Sequence, residues 1–164
     1  MKYQVLVLMG SDSDFPIMEE TVKVFEHFSV EYRIAVASAH RTPERVTRLV
    51  REAEKSGAEA IIAGAGMAAH LAGFIAAHTL LPVIGVPLSS SSLDGLDALL
   101  STVQMPPGIP VATMSIGKPG ARNAAIFVLE MLAVRDPRVR KGLSLFRQNL
   151  RKEVEKKDRS IRRR

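Results

Sequence analysis

Five short apolar segments, separated by helical patterns, restrict the fold of this chain more than any other feature. The segments are residues 3–9, 32–37, 60–65, 82–86 and 111–116. Most are apolar at nearly every position, which is typical of parallel strands covered by helices on both faces. We therefore predict an α/β fold: a single domain with a doubly wound parallel sheet in three αβα layers, with flavodoxin-like strand order.

Capping and helix-ending residues between these segments predict where the intervening helices start and stop. Asp14 and Thr42 are of the type that caps helix N-termini, and each is followed closely by a proline. Gly57 is placed to end the second helix. A further helix is predicted over residues 121–134, and a last one follows Pro137 into the C-terminal tail.

The charge distribution separates the last residues from the rest of the chain. The net charge is +6; residues 147–164 hold nine basic and three acidic residues, and the remaining 146 residues hold fourteen of each. We therefore predict a domain over residues 1–150 and a basic tail over 151–164, with the tail a solvated helix end. Because no aromatic residue follows Phe146, we expect no nucleic-acid partner.

Composition excludes further classes of site and location. The chain has no cysteine, which removes thiol nucleophiles, disulfides and cysteine-bound metal sites. No apolar run reaches the roughly 20 residues that a membrane span needs, and no signal-peptide pattern precedes the first segment. We expect a cytoplasmic protein with no membrane partner.

In doubly wound sheets, ligands bind beyond the carboxyl ends of the strands, so the loops there are the candidate sites. The first loop, residues 10–14, reads Gly-Ser-Asp-Ser-Asp and leads into a helix. Its N–H and hydroxyl groups suit a phosphate, and a carboxylate such as Asp14 can accept hydrogen bonds from ribose. A capped turn without a ligand explains the same residues equally well. A phosphatase-type Asp-x-Asp is disfavoured because Gly10 and Ser11 separate it from the strand.

The second loop, residues 38–43, reads Ser-Ala-His-Arg-Thr-Pro. His40 follows a strand, and histidine can take up and return a proton near neutral pH. Arg41 offers a forked donor for a phosphate or carboxylate. The alternative is a polar loop histidine bonded to backbone.

The third loop, residues 64–70, matches the dinucleotide fingerprint G-x-G-x-x-A. That fingerprint requires an acidic residue about 20 positions later, at the end of the next strand, but the first acid here is Asp94. We therefore interpret Gly64 and Gly66 as positions where backbone N–H groups approach a small anion such as a carboxylate. His70 either lines the site or is a structural histidine.

Taken in order, five loops of this chain resemble those of the PurE family, which comprises N5-carboxyaminoimidazole ribonucleotide mutases and aminoimidazole ribonucleotide carboxylases. They are residues 10–14, 38–43, 64–73, 104–111 and 116–125. The likeness is collinear over about residues 3–150. It implies a flavodoxin-like domain that assembles as a homo-octamer and acts on a small ribonucleotide with no metal or organic cofactor.

The resemblance also implies residue roles, with His40 as the catalytic acid and base. The implied substrate-binding residues are Ser11, Asp14, Ser38, Arg41, Gly64, Gly66 and His70. Within this set, Arg41 would contact the phosphate, and the two glycines with His70 would surround the migrating carboxylate.

Two motifs place the resemblance with the mutase branch rather than the carboxylase branch. Arg41 stands where carboxylases typically have lysine, and the Ala-Ala-His-Leu segment at residues 68–71 is typical of mutases. The chain departs from the family pattern at Met67, where glycine is usual, and at Ala72, where proline is usual. The expected function is therefore conversion of N5-carboxyaminoimidazole ribonucleotide to 4-carboxy-5-aminoimidazole ribonucleotide in purine biosynthesis. The alternative is a carboxylase that uses free carbon dioxide.

Two hypotheses from other classes compete with an enzyme. A nonenzymatic nucleotide-binding domain of the same fold would bind ligand without turnover, and it leaves His40 without a role. An RNA-associated protein acting through its tail would show salt-sensitive binding that removal of residues 151–164 abolishes.

Overall fold

The computed structural model describes residues 2–162. Its strands are β1 (Val5–Met9), β2 (Tyr32–Val36), β3 (Ala60–Gly66), β4 (Val83–Leu88) and β5 (Ala112–Thr113). Its helices are α1 (Phe15–Phe28), α2 (Pro43–Ser56), α3 (Leu71–Ala76), α4 (Leu96–Val103), α5 (Lys118–Leu132) and α6 (Pro137–Arg162). A single 3₁₀ turn, Asp12–Asp14, precedes α1.

The five strands form one parallel sheet in the order β2-β1-β3-β4-β5. Strand β1 pairs with β2 and with β3, so that Met9 lies beside Val36 on one side and Gly64 on the other. The predicted flavodoxin-like α/β fold is confirmed. Because β2, β1 and β3 are neighbours, the three loops that follow them are adjacent at one edge of the sheet.

Helices cover the two faces of the sheet with different side chains. Leu6 and Leu8 of β1 belong to one buried cluster with Val46 and Leu49 of α2. Residues of α3 join the same cluster. On the opposite face, Met18 of α1 is fully buried and lies against Gly64. The sheet is thus enclosed from both sides, which explains why its central strands are apolar at every position.

The fifth strand is much shorter than the segment 111–116 predicts. Only Ala112 and Thr113 pair with β4, opposite Ile84 and Gly85. The next position of β4 on that side is Pro87, whose carbonyl accepts from Gly117 N at 2.9 Å. Proline has no N–H to donate, so the regular ladder cannot continue beyond Thr113.

The chain divides into two compact units, one ending at Ile126 and one beginning at Phe127. Within the second unit, Val139 and Leu143 of α6 are buried, and Arg147 forms an ion pair with Glu130 of α5. Every residue from 147 to 162 is exposed. The predicted domain boundary after residue 150 falls inside α6 and stays a prediction. Over residues 2–162, no helix is both long and apolar enough to cross a membrane.

Candidate active site

The loop after β1 is a tight turn organised by one buried carboxylate. Asp14 Oδ2 accepts from Ser11 N at 2.9 Å, and Ser11 Oγ accepts from Ser13 N at 3.4 Å, forming a capping box around the 3₁₀ turn. Asp14 is 8% exposed. Burial raises the pKa of this carboxyl, and the N–H groups of Ser11 and Gly10 oppose that shift.

Asp14 and Thr42 occupy the N-cap positions of α1 and α2 as predicted, but neither side chain makes a capping bond to its helix. Asp14 makes no side-chain capping bond to α1, because its carboxylate is committed to Ser11 in the preceding turn. Thr42 makes none to α2 either, because its hydroxyl accepts from Ser38 N at 3.0 Å and donates to Ser38 O at 3.2 Å. Gly57 ends α2 with a φ of 82°, as predicted.

The loop after β2 is fixed by its own hydrogen bonds, which leave two side chains pointing out of it. Ser38 Oγ accepts from Arg41 N at 3.2 Å, and Thr42 closes the turn. His40 and Arg41 are both exposed. Arg41 Nη2 donates to Gly10 O at 3.4 Å, which joins this loop to the one after β1. Within residues 2–162, Arg41 forms no ion pair, so its charge is available to an anion.

The loops after β2 and β3 meet through two histidines. His40 Nε2 lies 2.7 Å from His70 Nδ1, and the ring planes are nearly perpendicular at 89°. In this bond one nitrogen donates and the other accepts, so the contact holds a single proton between the rings. Both rings are exposed. His70 therefore lies beside His40, and its role in lining the site stays a prediction.

Close packing leaves no room for a side chain at either of the two glycines that the sequence analysis assigned to the third loop. Gly64 is not in the loop: it is buried in β3, and a Cβ there would overlap Met18 Sδ. Gly66 ends β3, and a Cβ there would overlap Ser90 Oγ in the loop after β4. Their predicted approach to a carboxylate stays a prediction.

Two features of the site were missed by sequence reasoning. One is the direct contact between His40 and His70, which are 30 residues apart and adjacent only because β2, β1 and β3 are neighbours. The other is the backbone of Met67, which has a φ of 55°. The one available signal for the second was that Met67 departs from the glycine expected from the resemblance.

The geometry thus brings four side chains of the expected set to one sheet edge. They are an exposed guanidinium, a buried carboxylate and two bonded imidazoles, from Arg41, Asp14, His40 and His70. This set can hold an anion and a sugar hydroxyl and can move a proton. Among the described residues, no three His, Asp or Glu side chains cluster to hold a metal ion.

Comparison with a family model decides which proteins share these loops. The model described as AIR carboxylase matches residues 4–153. The chain belongs to the AIR carboxylase family. The resemblance predicted from the five loops is confirmed, and the match covers all of them.

Other members of the AIR carboxylase family are similar over most of their length. A Pyrococcus abyssi protein described as N5-carboxyaminoimidazole ribonucleotide mutase is 54% identical over 149 residues, which are 91% of this chain and 84% of the relative. An Escherichia coli K12 protein of the same description is 47% identical over 151 residues, 92% of this chain and 89% of the relative. The crystal structure of Treponema denticola PurE aligns with a TM-score of 0.82 at 30% identity, covering 92% of this chain and 94% of that one.

Proposed function

We propose that this chain is an N5-carboxyaminoimidazole ribonucleotide mutase, which forms 4-carboxy-5-aminoimidazole ribonucleotide in purine biosynthesis. The observation that supports it most strongly is the 2.7 Å bond between His40 Nε2 and His70 Nδ1. It supplies a proton-holding group at the edge of the sheet where ligands of this fold bind. The names of relatives that are about half identical support the same activity.

In this proposal the substrate is bound by the loops after β1 and β2. Arg41, exposed and outside any described ion pair, binds the phosphate. Asp14 and Ser11 accept hydrogen bonds from the ribose, and Ser38 positions the Arg41 backbone by its 3.2 Å bond. Gly64, Gly66 and His70 lie toward the carboxylate. The ring to be carboxylated then lies beside His40.

The proposed reaction needs one proton and returns it. The exocyclic N–C bond breaks, its electron pair stays on nitrogen, and protonated His40 gives that nitrogen a proton as carbon dioxide leaves. The ring carbon then attacks carbon dioxide and forms a C–C bond. His40 removes the proton from that carbon, which regenerates the ring double bond and the protonated imidazole. Because one histidine serves both steps, the reaction requires no cofactor.

We further propose that the enzyme acts in the cytoplasm as a homo-octamer. Leu93, Leu96, Leu100 and Val103 are each about half exposed and recur every three or four residues along α4 and the turn before it. A one-sided apolar stripe of this kind is suited to packing against a second copy of the chain. Light scattering should give about eight times the mass of one chain; a monomer would contradict the assembly and leave the activity proposal standing.

The decisive experiment compares the two candidate substrates in the absence of ATP. N5-carboxyaminoimidazole ribonucleotide should be converted efficiently, whereas aminoimidazole ribonucleotide with bicarbonate should react poorly because free carbon dioxide is scarce. With labelled bicarbonate added to the mutase reaction, little label should enter the product. Heavy labelling together with faster use of the uncarboxylated nucleotide would identify a carboxylase, and binding without turnover would identify a nonenzymatic domain.

A further inference from the structure

Met67 combines two properties that are unusual in one residue. Its side chain is 60% exposed although it is large and apolar. Its φ of 55° lies in the left-handed region, which favours glycine and strains other side chains. Folding stability therefore gives no reason for a methionine here, since glycine would relieve the backbone and expose less apolar surface.

The position of Met67 is fixed relative to the two histidines. Just before it, Gly66 packs closely against Ser90. After it, Ala69 N donates to Met67 O at 2.9 Å and His70 N donates to Ala68 O at 2.8 Å, so the chain makes two tight turns in succession. Ala69 is 1% exposed. The loop is thus held at both ends, and it carries the exposed Met67 side chain three residues before His70.

We propose that Met67 is an apolar cover that retains carbon dioxide between the two halves of the mutase reaction. The inference rests on the proposed function. Carbon dioxide carries no net charge and accepts hydrogen bonds only weakly, so polar side chains hold it poorly; exclusion of water and a closed apolar wall hold it better. If it escapes after the N–C bond breaks, the nitrogen keeps the proton from His40. The products are then aminoimidazole ribonucleotide and free carbon dioxide, and His40 regains its proton from solvent.

The test measures how often carbon dioxide escapes. N5-carboxyaminoimidazole ribonucleotide is supplied to the full-length enzyme, and the ratio of aminoimidazole ribonucleotide to carboxylated product is determined by chromatography against an enzyme-free blank. Met67→Gly should raise this ratio at least threefold and should increase incorporation of labelled bicarbonate. Leu80→Gly removes another exposed apolar side chain, in the loop before β4 at the opposite sheet edge, and should leave the ratio unchanged.

Three more variants separate the apolar cover from the backbone conformation. Met67→Leu keeps an apolar side chain and should keep the ratio low. Met67→Ala keeps the backbone strain but loses the cover, and Met67→Asn tolerates the left-handed conformation but is polar; both should leak as Met67→Gly does. If Ala behaves like the wild type while Gly and Asn leak, the backbone is responsible and the proposal is wrong.

Two further outcomes would overturn the inference without touching the proposed function. One is an unchanged ratio in Met67→Gly with normal conversion by the wild type. The other is a change in oligomeric mass by light scattering with no change in the ratio, which would make Met67 an assembly contact. Failure of the wild type to convert N5-carboxyaminoimidazole ribonucleotide would instead reject the proposed function itself.

Discussion

The bond between His40 and His70 defines how a proton can be handled at the site. Since each neutral imidazole has one donor and one acceptor nitrogen, the 2.7 Å contact fixes the tautomer of both rings once either is set. His70 therefore holds Nε2 of His40, and in the proposed reaction Nδ1 of His40 is the nitrogen left for the substrate. A ring held this way is suited to giving one proton and taking up another in the next step.

Replacing His40 with asparagine should lower kcat by about 10²–10⁴, because the change removes the proposed general acid and base. Nucleotide affinity should stay within about tenfold, since the proposal assigns the phosphate and ribose contacts to other residues. Steady-state kinetics and a direct binding measurement check the two parts. His78→Asn, which changes an exposed histidine after α3, is the matched control. More than a third of wild-type activity in His40→Asn would remove His40 from the mechanism.

Asp14 should show a conflict between stability and binding. Burial raises its pKa, so the folded state binds this proton more tightly than the unfolded chain does. The contribution of Asp14 to the free energy of unfolding is complete below the ordinary pKa of the carboxyl. The free energy of unfolding then falls as pH rises through the raised pKa of the folded state. Asp14→Asn should remove that fall, because an amide does not titrate in this range. The turn should persist, because the amide oxygen can still accept from Ser11 N.

The same change should weaken substrate binding. Loss of a charged acceptor for ribose should raise KM about 10- to 100-fold. Denaturant melts from acid to neutral pH and steady-state kinetics measure the two effects. Asp12→Asn alters an exposed carboxylate of the same turn and is the control. Equal KM values for the two variants would show that Asp14 is structural only.

At the scale of elements, the contact between β3 and α1 depends on Gly64, which has no side chain. Met18 is fully buried against Gly64, and this contact sets how closely α1 approaches the sheet. The loop after β1 leads directly into α1, and Gly10 N at its start donates to Gly64 O of β3 at 3.3 Å. Its geometry therefore depends on their spacing.

Gly64→Ala should destabilise the protein by about 1–3 kcal/mol, because its methyl group overpacks the contact with Met18. Met18→Ala alone should cost about 2–5 kcal/mol by leaving a cavity. The double variant should cost less than the two together, since the new methyl enters that cavity. Chemical denaturation of the four proteins measures this coupling. Strict additivity would mean that the two side chains do not meet.

Sequence reasoning reached the elements more securely than their contacts. The continuous apolar segments predicted the order of strands and helices along the chain, and Gly57 predicted the end of α2, because those signals are local. The length of β5 depends on Pro87 of a neighbouring strand, and the histidine contact depends on strand order and loop shape. The partner of Asp14 was misjudged because two helical starts, the 3₁₀ turn and α1, follow each other directly.

At the scale of the whole molecule, removal of the basic tail should change the free energy of unfolding very little. From residue 147 to 162 the helix is exposed along its length, so it buries little apolar surface in one chain. Truncation after Leu150 should leave kcat and KM within about twofold and the free energy of unfolding within ~0.5 kcal/mol. Kinetics, denaturation and light scattering on the truncated chain test this. Loss of both activity and assembly would mean that the tail packs on a neighbouring copy.

The short β5 has a consequence for how copies of the chain can join. A free sheet edge ordinarily invites another strand to add to it, which leads to open-ended aggregation. Here the edge strand β5 has only two residues, because Pro87 of the neighbouring β4 has no N–H to continue the ladder between β4 and β5. An incoming strand would find too few partners to align. Growth by sheet extension is therefore discouraged on this side, and the proposed assembly through the apolar stripe of α4 needs no strand pairing.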